Sequence, residues 1–405
     1  MHLRIATIAA MFLIGGCAIE SGGFSPRLAE PRLAVVDPAN LTEAQRDMLG
    51  SRGNLNIYKT LAHHVDLYNR WSPLGQFVLN GSSVSPRHRE MAMLRMGWLC
   101  QSGYEWSQHA RIAKASAGMT EAEIHAIAEG PGAANWSDLD RAVLTMADEL
   151  RYDAIISDKT WADLRKGYSD RQVMELLFTS AQYQLVSMAL NSLGIQLEPT
   201  AVDFIPTDLP KPATASRAAG PRLSTPRIAP IEEAAWTPQQ RAMITPQIRP
   251  DGTTFNLYKT MLNHPGLYTP RVRFGSYLQR DSLLDPQTRE LAIMRTAYNI
   301  GASYEWSHHV EAAETAGFTA ADIARIAQGP GASGWSEQQR AVLAAADDLR
   351  REAFVSDATW NTLAKYYGMK ERIEIIYTVG GYSMTGLAIN SFGIQVEPGY
   401  PAMPR

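Results

Sequence analysis

The chain has 405 residues, 45% of them hydrophobic and 20% charged, with a formal net charge of −3. That balance belongs to a folded globular protein of two or three domains; it excludes a low-complexity disordered chain and lacks the basic excess that a nucleic-acid partner requires. Two cysteines, Cys17 and Cys100, are too few for a disulfide framework.

The first element is unlike the rest. Arg4 precedes an apolar run from Ile5 to Ile14, too short to span a bilayer, which ends in Ile14-Gly15-Gly16-Cys17. This is the layout of a secretory signal. Its ending resembles the bacterial lipobox, in which the cysteine is acylated and becomes the mature N-terminus. The expectation is a lipoprotein signal peptide over residues 1–17, a tether over 18–30 and a membrane partner reached through lipid on Cys17. The protein would then be exported and periplasmic, with Ala18 rather than aspartate after the cysteine favouring the outer membrane. Cys100 then has no disulfide partner and reads as apolar core filler.

Beyond the tether the chain says the same thing twice. Asn56-Ile57-Tyr58-Lys59-Thr60 returns as Asn256-Leu257-Tyr258-Lys259-Thr260, Gly130-Pro131-Gly132-Ala133 as Gly329-Pro330-Gly331-Ala332, and Asn191-Ser192-Leu193-Gly194 as Asn390-Ser391-Phe392-Gly393. Residues 31–199 and 226–398 are therefore tandem copies, each long enough for its own core. Residues 200–225, rich in Pro, Ala, Ser and Thr, read as a linker, and 399–405 as a tail.

Within a copy, Ser85-Pro86 reads as an N-cap with proline at N1, starting a helix through Glu90 to about Leu99. Gly103 and Gly301 are expected to allow the break that follows. A second helix starts at Tyr-Glu-Trp and ends near Gly118, and further capped helices are expected over 120–128, 137–151, 158–167 and 170–193. No alternating strand pattern interrupts them. The fold class is all-α, two tandem helical-bundle domains.

The residues with chemistry lie on the two central helices. Glu90 precedes His109 by the same interval as Glu290 precedes His309, while Glu105 and Glu305 stand four residues before each histidine, on one helix face. Two short-linked antiparallel helices would gather an acid, an acid and a base. A histidine beside one carboxylate is favoured as imidazolium, and such a cluster suits proton transfer. Arg95 and Arg295 are the expected grip for a substrate carboxylate, with Arg89 in a structural pair. Tyr58, Tyr258, Trp106 and Trp306 are candidate pocket walls. His64 and His264 recur, but no His-Glu-x-x-His or Cys/His spacing points to a metal.

The order Arg-Glu, apolar helix, Tyr-Glu-Trp-Ser-x-His, Gly-Pro-Gly and long final helix resembles the carboxymuconolactone decarboxylase family, related to alkyl hydroperoxidase D. The resemblance covers both copies. It implies an all-helical fold that oligomerises, often as a hexamer, with its site between those two helices and no metal or organic cofactor. Hydroperoxidase relatives place Cys-x-x-Cys between the relay glutamate and histidine; here Ser102 and Glu105, or Ala302 and Glu305, stand in those places. The expected activity is cofactor-independent proton transfer on a small aromatic-derived acid or lactone, by decarboxylation, lactone isomerisation or hydration. The alternatives are a peroxiredoxin-like antioxidant activity, disfavoured without the dithiol, and a non-catalytic lipid-anchored module binding a small molecule or protein. The duplication further suggests an intramolecular pseudo-dimer, open to higher homo-oligomers.

Overall fold

The computed structural model describes residues 27–404 apart from 134 and 221; Cys17, the signal segment and most of the tether lie outside the described residues. Among the described residues there is no strand, and the architecture is all-α. The first copy contributes α1 (Glu43–Leu49), α2 (Asn56–Leu61), α3 (Val65–Gln76), α4 (Pro86–Leu99), α5 (Gly103–Ala117), α6 (Glu121–Glu129), α7 (Asp138–Tyr152), α8 (Asp158–Arg165) and α9 (Asp170–Leu193). The second repeats the order as α10 (Pro238–Ile244), α11 (Asn256–Met261), α12 (Pro265–Ser276), α13 (Pro286–Asn299), α14 (Ser303–Thr315), α15 (Ala320–Gln328), α16 (Glu337–Glu352), α17 (Asp357–Leu363) and α18 (Met369–Phe392).

Local chemistry explains most of the boundaries. Ser85 caps α4 by accepting from His88 N, with Pro86 at N1 where a missing N–H costs nothing. Thr120 with Glu123 and Ser169 with Gln172 form capping boxes at α6 and α9, and α9 stops at Gly194 in the left-handed region. The break between α4 and α5 differs from expectation. Gln101, at φ 51°, takes the left-handed position that Gly301 takes at φ 61° in the second copy, while Gly103 is already the first residue of α5. Gln101 steadies that turn by donating from Nε2 to the Trp98 carbonyl, 2.9 Å away.

In each copy the two central helices, α4 with α5 and α13 with α14, pack side by side, and α9 and α18 cross between the copies. Every residue of α9 from Val173 to Leu193 is buried. A helix enclosed on all sides belongs to the middle of a core. The contacts across the divide are reciprocal. Arg151 Nη1 donates to the Arg350 carbonyl and Arg350 Nη1 to the Arg151 carbonyl, both at 2.6 Å. Asn191 reaches the Ala353 carbonyl at 3.1 Å and Asn390 the Ala154 carbonyl at 3.0 Å. His64 meets Glu374 and His264 meets Glu175, each at 2.8 Å. This exchange of equivalent contacts is that of a twofold dimer, here inside one chain.

The segment joining the copies is extended but packed. Ala215 N donates to Arg351 O and Ala218 N to Asn299 O, and Ile205, Ala215 and Ala218 are buried. Among the described residues no helix is long and apolar enough to cross a membrane.

Candidate active site

The pairing of α4 with α5 brings Glu90, Glu105 and His109 together, each at most 5% exposed. His109 Nδ1 lies 2.7 Å from Glu90 Oε2 and its Nε2 lies 3.1 Å from Glu105 Oε1. In the second copy the same atoms of His309, Glu290 and Glu305 are 2.7 and 3.4 Å apart. Each imidazole is thus held between two carboxylates.

Burial by itself would lower the histidine pKa, but the charge of Glu90 and the hydrogen bonds of Glu105 and Glu90 outweigh it and lift His109 to about 10. His309 is lifted to about 10 in the same way by Glu290 and Glu305. Both rings are favoured as imidazolium at neutral pH, with Nδ1–H donated to Glu90 or Glu290 and Nε2 facing Glu105 or Glu305. Burial pushes the Glu290 carboxyl up, yet His309 and Arg289, whose Nε is 3.3 Å from Oε1, bring it below its ordinary value. Glu90 Oε1 is buried without a hydrogen-bond partner among the described residues, 3.9 Å from Arg89 Nε.

A cavity of about 150 Å³ opens onto the first cluster, with Glu105, His109, Tyr58, Tyr68 and Trp71 in its wall. The second cluster faces a cavity of about 50 Å³ and, beside it, one of about 290 Å³; Leu257, Tyr258, Gln279 and Glu305 line both. Tyr183 stands edge-on to His109 at 4.7 Å between ring centroids and Tyr382 to His309 at 5.1 Å. These tyrosines come from α9 and α18, and sequence reasoning missed them. Their only signal was recurrence at matching places in an apolar helix.

Other expected residues go elsewhere. Arg95 is committed to the fold: Nε and Nη2 hold Asp148 at 2.6 and 3.0 Å, and Nη1 donates to the carbonyls of Ile127 and Ala128. Arg295 does the same with Asp347, Ile326 and Ala327, so neither arginine is the substrate grip expected of it. The guanidinium instead ties α4 to α7 and to the end of α6 through four hydrogen bonds. Trp106 and Trp306 are core residues packed against Trp98 and Tyr298, not pocket wall. Tyr58 and Tyr258 do line the cavities.

Cys100 is fully buried with Sγ on Met96 Sδ, and burial pushes its thiol pKa up. Ser102, at the first cysteine position of the hydroperoxidase pattern, is also fully buried, and Glu105 at the second faces His109 Nε2. Among the described residues no group of His, Cys, Asp and Glu is arranged to hold a metal ion.

Both copies match one family. The carboxymuconolactone decarboxylase family model matches residues 66–149 and 265–348, stretches that include α4, α5 and their counterparts α13 and α14. The tandem helical-bundle architecture accords with that match. A search of curated proteins found no match. Among solved structures, a variant of the debrominase Bmp8 in complex with 2,3,4-tribromopyrrole is 17% identical, over 44% of this chain and 95% of that one, with a TM-score of 0.35. The alkylhydroperoxidase AhpD core of an uncharacterized peroxidase-related protein from Ralstonia eutropha JMP134 is 19% identical, over 42% and 93%, with a TM-score of 0.38.

Proposed function

We propose that the protein is an enzyme of carboxymuconolactone decarboxylase type, moving protons without a cofactor on a small aromatic-derived acid or lactone. The observation that carries this is the buried carboxylate–imidazolium–carboxylate cluster at the wall of an aromatic-lined cavity, present in both copies. Glu90 holds the imidazolium from behind. Glu105 and the Nε2–H of His109 form the proton-exchanging edge that lines the cavity. When carbon dioxide leaves a lactone acid, the carbanion or dienolate left behind takes up a proton from that edge; in isomerisation the same carboxylate removes a proton from one carbon and the edge returns it to another.

A pKa of about 10 makes the histidine a reservoir of positive charge and of one proton at neutral pH. Peroxide reduction is less well supported, because the cysteine inside the repeats is buried with its thiol pKa raised. The test is a screen of muconate-type and lignin-type acids and lactones for release of carbon dioxide or for isomeric product. Turnover by the wild type that vanishes in the His109→Asn/His309→Asn variant supports the reading. Turnover retained in that variant refutes it.

We further propose that the chain is exported and held to the outer membrane by lipid on Cys17. A Cys17→Ser protein that still partitions into detergent like the wild type would refute the anchor.

A further inference from the structure

The two pockets are copies in sequence and unlike in chemistry. In the first, Trp71 on α3 and Val186 on α9 line the cavity beside Tyr58, Tyr183 and Glu105. At the matching places in the second stand Arg271 on α12 and Thr385 on α18, and the Arg271 guanidinium donates from Nη2 to the Thr385 hydroxyl. The copies differ at both positions, with an apolar pair in the first and a cation with its holder in the second. Gly275, one turn along α12, leaves room for it, since a Cβ there would collide with Arg271 Nη1.

Arg271 is a cation in search of an anion. Thr385 is its hydrogen-bond partner, and among the described residues no carboxylate forms an ion pair with it. Burial lowers its pKa, and Glu305 and Tyr258 offset only part of that. A buried charge without a counter-ion is costly, and a ligand carboxylate would supply the missing pair through two parallel hydrogen bonds.

The remaining charges do not make the pockets equal. The first is lined by Glu105 and His109 and the second by Glu305, His309 and, where the first has Gln108, His308, so Arg271 adds to the second a guanidinium that has no counterpart in the first. Two further arginines line each: Arg52 and Arg111 the first, Arg249 and Arg280 the larger chamber of the second. Arg52 is occupied, donating to Tyr68 Oη at 2.9 Å.

We propose that the two pockets take different ligands: the second an organic monocarboxylate gripped by Arg271, which Thr385 holds in place while donating to the Gly381 carbonyl, the first a neutral ring compound packed beside Trp71. This rests on reading the cavities as substrate sites. The carboxylate sits in the smaller chamber, and the body of the ligand passes Tyr258 and Glu305, which line both, into the larger one.

Fluorine NMR titration of the full chain with 4-fluorobenzoate and 4-fluorobenzyl alcohol tests it, with folding checked by thermal melting. Arg271→Gln is expected to weaken benzoate binding by about ten-fold or more and leave the alcohol unchanged, with partial recovery in Arg271→Lys. Trp71→Leu is expected to weaken the alcohol and spare the benzoate. Benzoate bound equally by wild type and Arg271→Gln, or not bound by the folded wild type, would overturn the assignment. Arg271-dependent binding in a protein that turns over none of the screened compounds would count against proton-transfer catalysis and leave this subsite standing. Turnover of acids that is indifferent to Arg271→Gln would do the reverse.

Discussion

Replacing Glu90 and Glu290 by glutamine keeps the shape of the cluster and removes the charge 2.7 Å from each histidine Nδ1. An opposite charge at such range raises a buried imidazole by about 1–3 pKa units, which corresponds to about 1.4–4 kcal/mol per site. Both histidines titrate at about 10 in the folded chain, against about 6.5 when unfolded. The folded pKa is the higher one, so the stabilisation is complete below about 6.5 and is lost as pH rises through about 10. The variant should therefore be less stable than wild type by about 1.4–4 kcal/mol per site near pH 6, and the gap should narrow towards pH 10. Urea unfolding at pH 6, 8 and 10 measures the gap, and imidazole NMR shifts follow the titration directly. Turnover of any substrate found should fall about 100-fold at neutral pH. A stability gap that stays constant from pH 6 to 10, or imidazoles that still titrate near 10 in the variant, would refute the reasoning.

The two sites should be separable: His109→Asn and His309→Asn should each abolish turnover of one ligand class, and a single variant that silences both would contradict independent pockets. Cys100→Ser should leave turnover intact while costing about 1–3 kcal/mol for a hydroxyl placed in a fully buried site; loss of activity in a folded Cys100→Ser protein would revive thiol chemistry. Arg95→Lys breaks the two-pronged bond to Asp148 and should lower the melting temperature without changing KM, whereas a raised KM at unchanged stability would return Arg95 to the substrate. Glu374 accepts from His64 of the other copy, from Tyr277 and from Leu283 N, so Glu374→Ala should cost about 3–5 kcal/mol in denaturant unfolding. A cost under about 1 kcal/mol would mean that the cross-copy pair is not a structural clasp.

The sequence by itself determined the helices, the duplication and the membership of the central cluster. Caps such as Ser85-Pro86, Thr120 with Glu123 and Ser169 with Gln172 are legible because an N-cap is satisfied within four residues and needs no tertiary partner. Glu105 and His109 are legible for the same reason, being four apart on one helix, and the repeat then pointed to Glu90. Which side of a helix faces the pocket was decided elsewhere. Helices α4, α9 and α18 are buried on nearly every side, so no apolar stripe reveals their orientation. The sequence therefore offers Arg95 to a ligand, whereas its partner is Asp148 on α7, and Trp106 to a wall, whereas it lies in the core. Tyr183, Arg271 with Thr385, and the pairs His64–Glu374 and His264–Glu175 became visible only once helices far apart in sequence met, because the energy of a buried charge depends on what stands opposite it and not on its neighbours along the chain.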